Sequence, residues 1–311
     1  MASAQGPAGR QVIGVDLGGS AIKVGRYDAT GRRLAALERP TPRPQMPGAV
    51  SVAIAEAIEA LDPAGEASAV GIGLPGPTDA EGRVARIAIN LPGWREVPLA
   101  AWLEPRLGRP VVLANDGNCA LLGELWLGAA RGASDVVLLT LGTGVGGGVA
   151  LGGRLFHGRS GAAAEPGLIS LDPEAGASSN SGNRGSLESF CSLAGLARLS
   201  DRSPRELVAA AGQGDPEALA VWRRYGQRLG QGLSSLIYLL TPELVLIGGG
   251  LSAASPYFLP AAEAEVERRV LAVSREGLRI CPAALGNGAG ALGAARLAQE
   301  RWPADPDDRL G

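Results

Sequence analysis

"SDVVLLTLGTGVGGGVALGGRLF", residues 134–156, reads as strand, glycine turn, strand, turn, strand. Its middle, "GTGVGG" at 142–147, matches the G-x-G-x-x-G pattern of dinucleotide-binding folds. That pattern works only where a helix follows at once, because the helix amino end holds the pyrophosphate. Here "GVALGGRLF" follows, which reads as strand, so the run is a hairpin meander instead. Residues 11–40, "QVIGVDLGGSAIKVGRYDATGRRLAALERP", repeat the plan with "GGS" and "DATG" as turns. Two such units in one chain predict two related α/β halves facing each other across a cleft.

The intervening sequence completes an α/β pattern. Residues 47–62, "PGAVSVAIAEAIEALD", have helical spacing, and "SAVGIGLPGP" (68–77) and "RPVVLAN" (109–115) read as buried strands. Between them lie the proline-rich "NLPGWREVPL" and a short helix. A helix through "CALLGELWLGAA" (119–130), a long one over 216–240, a strand in "PELVLIGGG" (242–250) and a closing helix at about 288–301 follow. The expected domains are a small N-terminal α/β domain over 11–115, closed by that last helix, and a larger one over 116–287. Residues 1–10 and 302–311 are expected to be flexible tails.

Bulk properties exclude several classes of function. The chain has 311 residues, 46% hydrophobic, with a formal net charge of -2, so it lacks the basic surface that nucleic acid or an anionic membrane requires. Cys119, Cys191 and Cys281 match neither a disulfide framework nor a zinc cluster. With no signal-peptide pattern and no long apolar span, the expectation is a soluble cytoplasmic protein.

A glycine turn lets backbone amides approach phosphate oxygens, because no Cβ stands in the way. "DLGGSAIK" (Asp16, Gly18, Gly19, Ser20) and "LGTGVGGG" (Gly142, Thr143, Gly144) are therefore expected to close on one nucleotide. Asp16, just before the first turn, is a hard oxygen ligand suited to Mg²⁺. Lys23, the single lysine of the chain, lies beside the same turn and is a candidate phosphate contact.

Eight motifs then occur in a characteristic order: "GVDLGGSAIKVG", "GIGLPGPTD", "LANDGNCALLGE", "LTLGTGVGGGV", "GAAAEPG", "GSLES", "PELVLIGGGLS" and "GAGALGAARLA". Over roughly residues 11 to 300 the chain resembles the ROK family of sugar kinases, repressors and related proteins. The resemblance implies the actin- and hexokinase-type two-domain α/β fold with an interdomain cleft, and commonly a homodimer. It implies an ATP- and Mg²⁺-dependent hexose kinase, glucokinase-like, making glucose 6-phosphate from glucose. Asp116 falls on the catalytic base; a carboxylate there can take the proton of a sugar hydroxyl as the phosphoryl group arrives. At a strand end and helix start, Asp116 is expected to be kept ionised by the helix dipole. Asn115, Glu165 and Glu188 fall on sugar-binding positions, with Asn90 and Gly76 on the lip of the cleft, and Gly249 and Gly250 with the nucleotide. Family repressors carry an extra DNA-binding module before the first strand, for which about ten residues are too few. Alternatives are a kinase for fructose, mannose, N-acetylglucosamine or N-acetylmannosamine, polyphosphate as donor, and a sugar sensor without catalysis.

One stretch departs from the family. Most of its kinases carry a zinc site built from a histidine in an E-x-G-H-like pattern and three cysteines of C-x-C-G-x-x-G-C-L-E. Here Leu168 stands for the histidine and Ser179, Ser181 and Ser186 for the cysteines. Leucine cannot coordinate and serine hydroxyls do not replace thiolates, so no structural zinc is expected. The retained "GSLES" implies a loop held by hydrogen bonds instead. Loss of the histidine, which touches the sugar in close relatives, bears on which sugar is preferred. His157, the single histidine, does not replace it in register.

Overall fold

The structure, a computed structural model, describes residues 10–88, 91–179 and 182–302. It divides into two compact units: residues as far as Leu127 with His157–Ala163 and Gly288 onward, and Gly128–Phe156 with Ala164–Asn287.

The first unit contains β1 (Gln11–Leu17), β2 (Ala21–Tyr27), β3 (Arg33–Pro40), α1 (Pro47–Leu61), β4 (Ala67–Leu74), the hairpin β5 (Ala85–Ile87) and β6 (Arg95–Val97), α2 (Leu99–Leu107), β7 (Val111–Asn115) and α3 (Asp116–Leu127). Its sheet runs β3-β2-β1-β4-β7: an antiparallel meander, then two strands parallel to β1. Successive side chains of a strand point to opposite faces, and the two faces differ in kind. Ile13, Val15 and Leu17 of β1 and Val70, Ile72 and Leu74 of β4 meet Val50, Ile54 and Ile58 of α1 and Leu99 and Leu103 of α2 in one apolar core.

The other face is lined by small residues. Gly14 and Gly71, paired across β1 and β4, lie so close to the C-terminal helix that a Cβ would collide with the carbonyl oxygens of Ala291 and Ala294. In turn, a Cβ on Gly293 would collide with the carbonyl of Cys119 in α3. This explains the glycine- and alanine-rich "GAGALGAARLA": the helix must approach two backbones at once. α3 therefore packs into the first unit, and the compact unit extends past the expected boundary at residue 115 to Leu127.

The second unit contains β8 (Val136–Leu141), β9 (Val145–Leu151), β10 (Arg154–Leu155), two short helices α4 (Leu187–Cys191) and α5 (Leu193–Ala197), α6 (Pro204–Gly212), α7 (Pro216–Leu240), β11 (Leu244–Gly248), α8 (Ser255–Arg269) and β12 (Arg279–Pro282). The last helix, α9 (Ala289–Arg301), is the one that returns to the first unit. The second sheet runs β10-β9-β8-β11-β12, the first sheet's order and strand directions repeated. Its core joins Val137, Leu139 and Leu141 of β8 to Trp222, Tyr225 and Leu229 of α7 and Phe258 of α8. Residues 186–199, "SLESFCSLAGLARL", form two short helices broken at Ser192, whose hydroxyl accepts the Gly195 amide hydrogen bond and starts α5 afresh. Among the described residues, no helix is long and apolar enough to cross a membrane.

Candidate active site

In the first unit, the candidate side chains Asp16, Asn115 and Asp116 collect where β1, β4 and β7 end. Parallel strands deliver their carboxyl ends to one edge, which is why α/β sheets place ligands there. Asp16 of β1 pairs in register with Gly73 of β4, and Leu74 with Asn115 of β7. Asp116 opens α3 immediately after β7. The side chain of Asn115 accepts hydrogen bonds from the amides of Gly117 (2.8 Å) and Asn118 (3.2 Å). Asn115 is thus the helix cap, a role that position alone would equally allow Asp116. Asp116, half-buried, accepts a hydrogen bond from Gly117 N–H at 2.8 Å and has no cationic partner among the described residues.

The electrostatics reverse one expectation. Asp116 is pushed up to about 6, first by burial and then by the negative charge of Asp16, against the lowering effect of the Gly117 amide. The helix amino end does favour the charged form, but desolvation and a like charge outweigh it. Asp16 is itself raised by burial, with Lys23 pulling the other way and Glu38 adding to the rise. The Lys23 ammonium lies 3.6 Å from the Asp16 carboxylate, and Gly290 at the start of α9 packs against that carboxylate.

The first glycine turn is fixed from outside. Gly18 N–H donates to the carbonyl of Ala21 at 2.9 Å, closing the turn. Its carbonyls are taken up by Thr41, whose hydroxyl donates to Gly18 O at 2.7 Å, and by Gln45, whose amide donates to Gly19 O at 3.1 Å. Neither Thr41 nor Gln45 is visible as a site residue in sequence, since lone polar residues in a loop carry no pattern.

The second turn has a different support. Gly142 N–H donates to Gly144 O at 3.0 Å, and Leu193 N–H of α5 donates to Gly142 O at 2.8 Å. Glu188 of α4 accepts the Val145 amide hydrogen bond at 3.1 Å. A Cβ on Gly144 would stand 2.6 Å from the same carboxylate oxygen, so a side chain there would displace Glu188 from the turn. On the other side, Gly167 lies against the carbonyl of Val145, which seats the short 3-10 turn Pro166–Leu168, and with it Glu165 and Leu168, beside β9. Gly249, at a φ of +81°, packs against the backbone of Leu141, and Gly250 follows it.

The stretch that departs from the family's zinc pattern is laced by hydrogen bonds. Ser186, fully buried, caps α4 by accepting the Ser189 amide at 3.2 Å, and Ser189 Oγ donates to Ala177 O at 2.8 Å. Ser179 N–H donates to Asn183 O at 2.8 Å, and the Asn183 side-chain amide donates to Leu168 O at 2.7 Å. Among the described residues no group of three or more His, Cys, Asp or Glu side chains is arranged to hold a metal. Ser181 and Asn90 lie outside the described residues. Gly76, at a φ of +107°, faces the carbonyl of Ile87 in β5, so close passage of that strand already accounts for its lack of a side chain. His157 lies in the segment that returns to the first unit, and burial lowers its pKa. Cys119 and Cys191 are buried with thiols raised by desolvation, the environment of inert packing residues.

Comparison with known proteins gives a consistent picture. The chain is 35% identical to a glucokinase of Thermotoga maritima, covering 94% of this chain and 98% of that protein. It is 36% identical to an N-acetyl-D-glucosamine kinase of Salmonella newport, over 91% of this chain and 98% of the relative. Among solved structures, a ROK family glucokinase from Streptomyces griseus in complex with glucose and AMPPNP superposes with a TM-score of 0.81 at 33% identity, covering 93% of this chain and 99% of that one. The actin- and hexokinase-like α/β fold expected from the motifs is the fold of these neighbours. The ROK family model itself matches residues 12–301, which takes in both repeated sheets, both glycine turns and α9, and the chain belongs to the ROK family.

Proposed function

We propose that this chain is an ATP-dependent hexose kinase whose first substrate is glucose, converted to glucose 6-phosphate with Asp116 as general base. The observation that carries the reading is the Asp116 carboxylate: half-buried, without a cationic partner among the described residues, at the carboxyl edge of a parallel sheet, and raised to about 6. A base with that affinity is ionised at neutral pH yet binds a proton more tightly than an ordinary aspartate, which suits removal of a hydroxyl proton during phosphoryl transfer. The proton leaves the sugar oxygen for Asp116 as that oxygen bonds to the γ-phosphorus and the bond to the β-phosphate oxygen breaks. The relatives named glucokinase, similar over nearly their whole length, support the same reaction.

Asn115, with its carbonyl oxygen committed to the helix cap, would use its amide nitrogen toward the sugar, and Glu165 and Glu188 would accept from sugar hydroxyls. The amides of the two glycine turns would hold ATP. Mg²⁺ suits Asp16: the ion binds through one or two carboxylates plus substrate phosphates, and Asp16 is a poorly solvated carboxylate next to such a turn. When bound there it would neutralise charge on the transferring phosphate.

A second acceptor class is favoured by one residue. Leu168 places an apolar side chain where relatives use histidine, and an N-acetyl group is an apolar-tolerant substituent, as the similarity to the N-acetyl-D-glucosamine kinase also suggests. Mg-ATP-dependent phosphorylation measured across glucose, mannose, fructose, N-acetylglucosamine and N-acetylmannosamine, with Asp116→Asn as control, decides both questions. Turnover on one sugar that vanishes in the control supports the kinase. Binding of glucose without turnover on any sugar would point to another phosphate donor or to a sensor.

A further inference from the structure

Glu188 and the second glycine turn form one hydrogen-bonded unit. The turn from Gly142 to Val145 is held at its start by Leu193 N–H on the Gly142 carbonyl and at its end by Glu188, whose Oε2 accepts from Val145 N–H at 3.1 Å. The same oxygen lies 2.6 Å from where a Cβ of residue 144 would be, so the carboxylate rests directly on the turn. The carbonyl of the same residue, Val145, abuts Gly167 in the 3-10 turn Pro166–Leu168, which follows Glu165. Val145, the residue that ends the phosphate turn, is therefore bracketed through its N–H and its carbonyl by the two segments that carry the sugar-side acidic residues.

We propose that Glu188 is a positioning residue that transmits sugar occupancy to the second glycine turn, so that sugar and nucleotide bind with positive coupling. The proposal rests on the reading of Glu188 as a sugar ligand and of residues 142–144 as nucleotide-binding. A sugar hydroxyl donating to the carboxylate fixes its rotamer. A fixed carboxylate holds Val145 N–H, and that bond sets the direction of the neighbouring turn amides. An ordered turn is already in the shape that phosphate selects, so the second ligand has less to organise. Linkage requires the effect to be reciprocal: nucleotide must tighten sugar binding by the same factor.

The test is calorimetric titration of the full chain with AMPPNP and Mg²⁺, with and without saturating glucose, and with glucose alone. The unmodified protein is expected to bind AMPPNP about tenfold more tightly when glucose is present, within the usual range for coupled sites. Glu188→Gln, which keeps the shape of the side chain but weakens its hold on Val145 N–H, should bring that ratio close to one. Gly144→Ala, which pushes the carboxylate off the turn, should weaken glucose binding several-fold with no nucleotide present, a readout that a purely phosphate-binding glycine would not move. Melting temperatures of both variants check that each is folded. Glucose binding with a ratio near one in the unmodified protein overturns the coupling and leaves the kinase reading standing, as does a Glu188→Gln ratio equal to that of the unmodified protein. Failure of the unmodified protein to bind glucose or any of the other four hexoses overturns the kinase reading, and the coupling falls with it.

Discussion

The two sheets share strand order and direction, and their first hairpins align residue by residue: "DLGGSA" at 16–21 against "TLGTGV" at 140–145. What differs is the chemistry hung on the common turn. Where the first unit has Asp16, the second has Thr140; where the first is steadied by Thr41 and Gln45 from a loop, the second is steadied by Leu193 and Glu188 from two short helices. The first unit also presents a second carboxylate, Asp116, at the end of β7. The turn geometry is repeated, whereas carboxylates at the strand ends, Asp16 and Asp116, stand in the first unit.

That contrast can be broken most severely at Asp116. Asp116→Asn is expected to lower kcat by about a hundredfold to ten-thousandfold, the usual worth of a general base, with a smaller change in sugar KM. The same variant should melt at a higher temperature at pH 7 to 8. The folded-state pKa is raised, so the group favours folding at low pH and that contribution is lost as pH rises through about 6, leaving an unfavourable charge beside Asp16 that asparagine lacks. A lower melting temperature would mean that Asp116 is structural.

Next in size are changes to how the first unit is assembled. Asp62, whose side chain is fully buried, accepts from Arg26 at 3.0 Å, Arg109 at 2.5 Å and the amides of Glu66 and Ala67 at 3.0 Å each. Burial alone would raise its pKa, but Arg109 and those amides hold it below the usual carboxylate range. Asp62→Ala leaves Arg109 without a carboxylate and Arg26 with Glu66 alone, and should cost about 3 kcal/mol in chemical denaturation. Gly293→Ala, which drives a methyl into the α3 backbone, should cost about 3 kcal/mol by the same measurement.

A sharper comparison comes from titration. Followed by carbon NMR in nucleotide-free protein, Asp116 should titrate near pH 6, and Asp16→Asn should move the midpoint down, because the Asp16 charge is the second cause of the rise. An unmoved midpoint would leave burial as the whole explanation. The smallest expected effect is at Leu168: Leu168→His should shift the ratio of kcat/KM between glucose and N-acetylglucosamine toward glucose by about tenfold or less, the worth of one hydrogen bond.

The strand meanders, the 25-residue α7 and the closing helix are legible in the sequence because alternation, glycine turns and helical spacing are local signals. The β5–β6 hairpin is not, since strands of three residues show no period, and "NLPGWREVPL" presents only its prolines and glycine. The motifs single out Asp116, yet its protonation behaviour depends on Asp16, a hundred positions away and brought near by strand pairing through Gly73. Likewise, Gly144 gives room to the Glu188 carboxylate, which no local pattern connects to it.

α9 bears on how the protein is made. The first unit's sheet, with Gly14 and Gly71 shaped for close contact, is finished only by residues 289–301, after the whole second unit has been translated. As the polypeptide leaves the ribosome, the earliest strands must wait with that face uncovered while the second unit acquires a core of its own, so folding order should run against synthesis order. The Asp116 edge is then completed last, and a ribosome stalled before α9 would display a nascent chain that is half folded and a natural client for chaperones.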